Sequence, residues 1–327
     1  MKRITEISNI SDGSSNDYVE VQTPGRICLL GDKIDLAELP VIGCAVNCLS
    51  TIKIRKIPDS TVRIFTNTYQ SGLEYKLGEK GDFNHLLKYW CAIIYRLGDR
   101  IEGFEAILSS DIPVGSGLSS SAAISVGLIS ALNKLFELGM NNYEIAELAY
   151  ITEHDDLGIM CGRLDQYSIT FGGVSFIHTN SPPKVTHVPI QSLPIVLADS
   201  GDSRKAQDVL IRIKNKLKAG DAQVHESFHK IHQAVIECHQ ALQQNDYNKI
   251  GALMNLQQIQ EKKMETTTPK IDLLCRTALE HGALGAKQIG AGGGGCMIAL
   301  CPEHSEEVSK ELQRIGGKVY KFNIYNY

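Results

Sequence analysis

Residues 111–127 read Asp-Ile-Pro-Val-Gly-Ser-Gly-Leu-Ser-Ser-Ser-Ala-Ala-Ile-Ser-Val-Gly. An apolar, β-branched run at 104–109 precedes the stretch and a helical apolar pattern follows it, so the chain must pass from strand to helix across glycine and serine. Asp111 and Pro113 stop the strand. Gly115 and Gly117 permit a tight turn and let backbone approach a ligand with no Cβ in the way. A helix start offers unpaired N–H groups and the positive end of the helix dipole, which together attract an anion. One serine suffices to cap a helix. Ser119, Ser120 and Ser121 exceed that need, and their hydroxyls can bond phosphate oxygens or ligate Mg2+. No Gly-Lys-Ser or Gly-Lys-Thr occurs, so the run is not a Walker A loop.

Around this loop the periodicity predicts an α+β chain, strand-rich first and helix-rich later. Strands are expected over 18–30, 41–55, 61–66 and 104–109, with strand character again over 174–199. A core-facing helix is expected over 83–97, a second from Ser119 to Phe136 and a third from Tyr143 to His154. Helices follow over 203–218, 222–243, 246–264 and 269–281, then strands near 284–289, 296–301 and 317–324 around a helix at 303–315. With 327 residues the chain is too long for one core. The Asn-Ser-Pro-Pro turn near 180 suggests domains 1–180 and 181–327.

Composition excludes several classes. A formal net charge of -4 gives no electrostatic case for nucleic acid or an anionic membrane. No apolar run approaches the ~18 residues of a membrane span, and the N-terminus lacks the apolar segment of a secretory signal. Nine cysteines, an odd and scattered set, fit the reduced thiols of a cytoplasmic protein better than a disulfide framework.

Three segments in order carry a resemblance. Pro113-Val-Gly-Ser-Gly-Leu-Ser-Ser-Ser-Ala-Ala123 is similar to the phosphate loop of the GHMP kinase superfamily. Pro24-Gly-Arg-Ile-Cys-Leu-Leu-Gly-Asp-Lys-Ile-Asp35 resembles the N-terminal galactokinase signature, and Gly285-Ala-Lys-Gln-Ile-Gly-Ala-Gly-Gly-Gly-Gly-Cys-Met-Ile-Ala-Leu300 the C-terminal glycine-rich motif. The resemblance implies a two-domain fold with the active site in the cleft between domains. It also implies an ATP- and Mg2+-dependent kinase acting on a sugar or sugar-like polyol.

The resemblance assigns roles residue by residue. Gly115, Ser116, Gly117, Leu118, Ser119, Ser120 and Ser121 would cradle the ATP phosphates, with Ser121 ahead of Ser120 as the hydroxyl on Mg2+. Asp165, in Gly162-Arg-Leu-Asp-Gln-Tyr, matches the catalytic carboxylate of galactokinases and heptose kinases. Arg26 matches the arginine between that acid and the γ-phosphate. Without the family, a lone Asp165 reads rather as a turn or cap residue and a lone Arg26 as a surface ion-pair partner; the paired motif matches reverse that preference. Glu153 is a second metal ligand or a solvated helix end. Gly292 and Gly293 lie in a run, Gly292 to Gly295, expected to be too crowded for side chains and close to the phosphate or the reacting hydroxyl; a flexible hinge is the alternative, which the apolar strand that follows argues against.

At the substrate the pattern departs. Galactokinases carry Gly-Glu-His-Thr-Asp-Tyr where this chain has Gly31-Asp-Lys-Ile-Asp-Leu36. Asp32 shortens the acid, Asp35 is retained as a hydroxyl acceptor, and Lys33 replaces histidine. Lys33 would meet a carboxylate or phosphate on the acceptor, point to solvent or pair with Asp32. Ser200, Asp202 and Arg204 resemble a turn near the substrate mouth. Two other functions compete. Mevalonate-pathway kinases share the phosphate loop but lack the Arg26 with Asp32/Asp35 arrangement. A non-catalytic sugar sensor would have lost the serines, Asp165 or Arg26. The expected partner is a small molecule, and no pattern addresses oligomeric state. His225, His229 and His232 have ligand-like spacing on a helix rich in Gln and Glu, which a solvated face explains.

Overall fold

The structure, a computed structural model, describes residues 2–4, 18–113, 115–202 and 206–327. It divides into two compact units. The first comprises Met1–Gly25, Cys48–Pro113 and Ser120–Ile159; the second comprises Arg26–Asn47, Val114–Ser119 and Met160–Tyr327. Strands β2 (Val19–Leu30) and β3 (Val41–Lys56) contribute residues to both.

In the first unit β1 (Lys2–Ile4), β5 (Ser71–Lys76), β4 (Thr61–Thr66), β6 (Phe104–Ser110) and the end of β3 lie in that order. β4 runs parallel to β6, while the β1–β5, β4–β5 and β3–β6 pairs are antiparallel. Its helices are α1 (Lys88–Leu97), α2 (Ser120–Leu135) and α3 (Asn142–Ile151), the last running into a π-helical turn at Thr152–Asp156. α1 buries Trp90, Ile93, Ile94 and Leu97, the three- and four-residue rhythm of a core-facing helix. The Trp90 indole N–H reaches the Ile124 carbonyl at 2.9 Å and ties α1 to α2. α3 begins with a reciprocal cap, in which Asn141 Oδ1 accepts from Glu144 N and Asn141 N donates to Glu144 Oε2. At Gly127 a Cβ would sit 2.2 Å from Ile52 Cδ1, so only glycine lets α2 lie this close to the sheet.

In the second unit the start of β3 pairs antiparallel with β7 (Val174–His178), which pairs antiparallel with β8 (Lys184–Val188). A separate antiparallel sheet has the order β10 (Gly285–Gln288), β11 (Cys296–Leu300), β9 (Ile195–Asp199), β12 (Lys318–Tyr320). Around these stand α4 (Leu164–Phe171), α5 (Ala206–Lys218), α6 (Ala222–Gln243), α7 (Tyr247–Lys263), α8 (Pro269–Glu280) and α9 (Ser305–Arg314). Val196 and Ala198 of β9 with Met297 and Ala299 of β11 alternate toward one face. There they pack on Ile271, Leu274 and Ala278 of α8 and on Val308 and Leu312 of α9. Each large aliphatic side chain so buried contributes about 1.5–3 kcal/mol.

The α+β expectation holds, and the predicted helices and strands fall within about five residues of those observed; residues 203–205 of the helix expected over 203–218 lie outside the described residues. The periodicity does not reveal β1 or α4, which at three and eight residues are too short to declare a pattern, or β5, where Leu73 and Tyr75 are the large apolar residues. Among the described residues no helix is long and apolar enough to cross a membrane. None of the nine cysteines forms a disulfide, and the histidines of α6 form no metal-binding group among the described residues.

Candidate active site

The loop before α2 has a backbone shaped for an anion. Gly115, Gly117 and Ser119 have φ of 76°, 90° and 59°, whereas the intervening Ser116 and Leu118 do not have positive φ. Alternating hand along successive residues turns neighbouring N–H groups to one side and forms an anion-binding concavity. Gly115 is exposed with open space where a Cβ would stand. Ser119 adopts the left-handed region without being glycine, which costs about 1 kcal/mol or more. Such strain marks functional loops more often than structural ones.

The loop is held by Arg26. The Arg26 N–H donates to the Leu118 carbonyl at 3.0 Å, and a guanidinium N–H donates to the Gly117 carbonyl at 2.5 Å. The remaining fork of the guanidinium reaches Asp165 Oδ1 from Nε at 2.8 Å and from the other terminal nitrogen at 2.5 Å. Asp165 Oδ2 accepts from the Ser119 hydroxyl. Arg26 is 4% exposed, while the Asp165 side chain keeps 30% of its surface open. Burial pulls the guanidinium pKa down, but the charge and hydrogen bond of Asp165, with smaller contributions from Cys28 and Asp32, together outweigh it, so Arg26 stays cationic.

Asp165 sits in the first turn of α4, where the helix dipole favours an acid. Asp35 meets the same turn by accepting the Leu164 N–H at 3.1 Å. A Cβ on Gly162 would lie 2.2 Å from Asp35 Oδ2, so glycine is required beside it. Burial, and secondarily the charge of Asp165, push the Asp35 carboxyl up to about 6, against the pull of Leu164 N–H and Arg26. Gly43 of β3 backs α4 closely, a Cβ there falling 1.8 Å from Ser168 Oγ.

The C-terminal glycine run meets the same loop. Gly292 to Gly295 all have positive φ, a run few other residues could follow. The Cys296 N–H that ends it donates to the Ser116 carbonyl at 3.0 Å, and the Gly293 N–H donates to the Thr266 carbonyl at 2.8 Å. Ser200 N donates to the Gly295 carbonyl at 2.9 Å, so the 199–202 turn lies against this run. Arg204 lies outside the described residues.

Asp32 and Lys33 are placed differently from the rest. Neither opens to solvent, and Lys33 does not pair with Asp32. Lys33 Nζ lies 2.9 Å from Glu261 Oε2 and 2.9 Å from the Gly290 carbonyl; Lys287 Nζ lies 2.5 Å from Asp32 Oδ2. Burial alone would raise the Asp32 carboxyl, but Lys287 and Lys33 outweigh it and hold its pKa below the ordinary value. Sequence reasoning does not single out Lys287, Glu261 or Gln257. The available signal was a lysine inside the buried strand Gly285–Gln288, since lysine is rarely buried without a partner.

In the first unit Ser120 and Ser121 are half-buried at the start of α2, and Glu153 is buried in the π-helical turn. Ser121 and Glu153 are hard oxygen donors suited to Mg2+, although the described residues contain no group of three or more His, Cys, Asp or Glu able to hold a metal.

Two family models match the chain. One describes the GHMP kinases N terminal domain, over residues 84–173, and the other the GHMP kinases C terminal domain, over 238–318. Together they take in just over half of it. Mevalonate kinase of Pyrococcus furiosus is 27% identical over 317 residues, 91% of this chain and 94% of the relative. D-glycero-alpha-D-manno-heptose 7-phosphate kinase of Campylobacter jejuni is 28% identical over 328 residues, 94% of this chain and 96% of the relative. In fold, Lactococcus lactis galactokinase complexed with galactose superposes with a TM-score of 0.85 at 24% identity, covering 97% of this chain and 96% of the galactokinase.

Proposed function

Because the chain belongs to the GHMP kinase family, we propose that it transfers the γ-phosphoryl group of ATP to a hydroxyl of a small sugar or sugar-like polyol. The observation that carries this reading is the arrangement of Asp165, with Arg26 on one carboxylate oxygen and Ser119 on the other, beside the anion-shaped loop.

Phosphoryl transfer needs little covalent help from a protein; it needs in-line positioning and neutralisation of phosphate charge. The amides of Gly115 to Ser121 would hold the nucleotide phosphates. Arg26, already fixed between loop and acid, places a permanent positive charge where negative charge is transferred. Asp165 keeps an open face toward an acceptor hydroxyl, orients it and takes its proton. Asp35, beside the same helix start, accepts from another hydroxyl, and Gly292 and Gly293 give close backbone approach. Ser121 and Glu153 would hold Mg2+, which would supply positive charge against that of the phosphates.

Lys33 has its charge matched by Glu261 inside the protein, which supports an acceptor recognised through hydroxyls rather than through an anionic group. The similarity to mevalonate kinases supports a second reading, with mevalonate as acceptor. ADP release and 31P NMR on a panel of galactose, other hexoses, uronic acids, sugar phosphates, inositol and mevalonate separates them. A phosphorylated neutral polyol is expected. Turnover of mevalonate alone would replace the sugar reading, and nucleotide left intact with every acceptor would favour a sensor.

A further inference from the structure

Four charged side chains are fully buried under the glycine run, and the acceptor chemistry above makes no use of them. The Asp32 and Lys287 side chains are 0% exposed; those of Lys33 and Glu261 are 1% and 0% exposed. Gln257 links the two pairs, donating to Asp32 Oδ2 at 3.0 Å and Glu261 Oε1 at 3.2 Å while its own oxygen takes the Gly31 N–H at 2.9 Å. Lys287 also donates to the Cys28 carbonyl at 3.1 Å, and Gln288 donates to Glu261 Oε2 at 2.9 Å. Burying charge is unfavourable unless each ion is matched, and apolar side chains would fill the same space with less penalty. Conformational specificity is one reason such a network is kept.

What it specifies is visible in its backbone contacts. Asp32 Oδ1 accepts the Gly290 N–H, and Lys33 Nζ donates to the Gly290 carbonyl, so one glycine is gripped at both ends of its residue. Glu261 accepts from the Thr266 hydroxyl, and the Thr266 carbonyl in turn accepts from Gly293 N at 2.8 Å. A Cβ on Gly292 would lie 2.2 Å from that same carbonyl. The run continues to Cys296, bonded to Ser116 of the phosphate loop.

We propose that Lys33–Glu261 and Asp32–Lys287 are positioning residues for phosphoryl transfer, clamping Gly290 and Gly293 so that the glycine run keeps one shape beside the acceptor. The proposal rests on the kinase reading and deepens it. The amides expected on the nucleotide are held by Arg26 through Gly117 and Leu118 as well as by the Cys296–Ser116 bond, so loosening the clamp at Gly290 and Gly293 should damage transfer more than nucleotide binding.

Removing one charge strands its partner, so the test uses the charge-balanced pair Lys33→Met with Glu261→Gln. A second pair, Arg55→Met with Glu105→Gln, removes an ion pair with a half-buried arginine and a buried glutamate, remote from these residues in sequence, and reports stability alone. Three quantities are measured: hydrogen exchange of the 289–296 amides, calorimetric affinity for Mg-AMPPNP, and kcat with the best acceptor of the panel. Exchange in the first pair should rise about tenfold or more. Its kcat should fall about tenfold or more, because small misplacements at a reacting centre are amplified in rate. Mg-AMPPNP affinity should stay within about threefold. The Arg55/Glu105 pair should leave exchange at 289–296 and kcat unchanged. A folded Lys33/Glu261 variant with native exchange, or with native kcat, overturns the proposal. If the native chain phosphorylates no acceptor, the kinase reading fails separately and exchange at 289–296 still decides whether the network clamps the run.

Discussion

Arg26 and Asp165, 139 residues apart in the chain, meet through two hydrogen bonds on one carboxylate oxygen, at 2.8 and 2.5 Å. The same guanidinium holds the Gly117 carbonyl. A planar fork can make these contacts together; a lysine ammonium is a point charge on a flexible stem and cannot. Arg26→Lys is therefore expected to lower kcat about 10²–10³-fold, the usual loss for one preorganised charge donor. Steady-state kinetics check this, and a kcat within a few-fold of native would show that charge alone is needed there.

Ser119 bears backbone strain and donates to Asp165 at once. Glycine adopts its φ of 59° freely, so Ser119→Gly relieves about 1 kcal/mol of strain, partly offset by the freer unfolded chain. The variant should unfold in urea at the native midpoint or above it and yet turn over more slowly. Such opposition between stability and activity is expected where strain serves a site. A variant both less stable and fully active would contradict the role given to the hydroxyl.

Asp35 ties stability to pH. Its carboxyl is pushed up to about 6, first by burial and then by the charge of Asp165. The folded chain thus holds this proton more tightly than the unfolded chain, whose aspartates titrate near ~3.9. The stability it adds is complete below about pH 4 and is lost as pH rises through about 6. Asp35→Asn, which cannot ionise, should gain thermal stability relative to native at pH 8 and lose that advantage at pH 4. Melting curves at the two pH values decide; a gap that does not change with pH would remove the assigned titration.

Much of this site was legible in the residues because its parts are local patterns. A strand, a glycine–serine turn and a helix declare themselves within twenty residues, and Arg26 and Asp165 stand in segments that resemble a known family. Ser119 was grouped with the phosphate cradle, but its bond to Asp165 joins residues 46 positions apart, and no local pattern encodes it. Lys33 illustrates the same limit. Its sequence neighbours allowed an anionic acceptor, solvent or Asp32 as partner, whereas the folded chain brings Glu261 to it. Long-range pairing of buried charges depends on packing of α7 and β10, which periodicity can position only as separate elements. α4 is hidden because eight residues carry too little rhythm.

The central claim is that Asp165 serves the transfer step and not the nucleotide. Asp165→Asn keeps the shape of the side chain and removes its charge and proton affinity. Calorimetry with Mg-AMPPNP and rapid-quench single turnover with ATP and the best acceptor, on the same preparation, measure the two roles together. Nucleotide affinity is expected to stay near native while the transfer rate falls about 10²–10⁴-fold. A variant that transfers phosphate at the native rate would contradict the assignment.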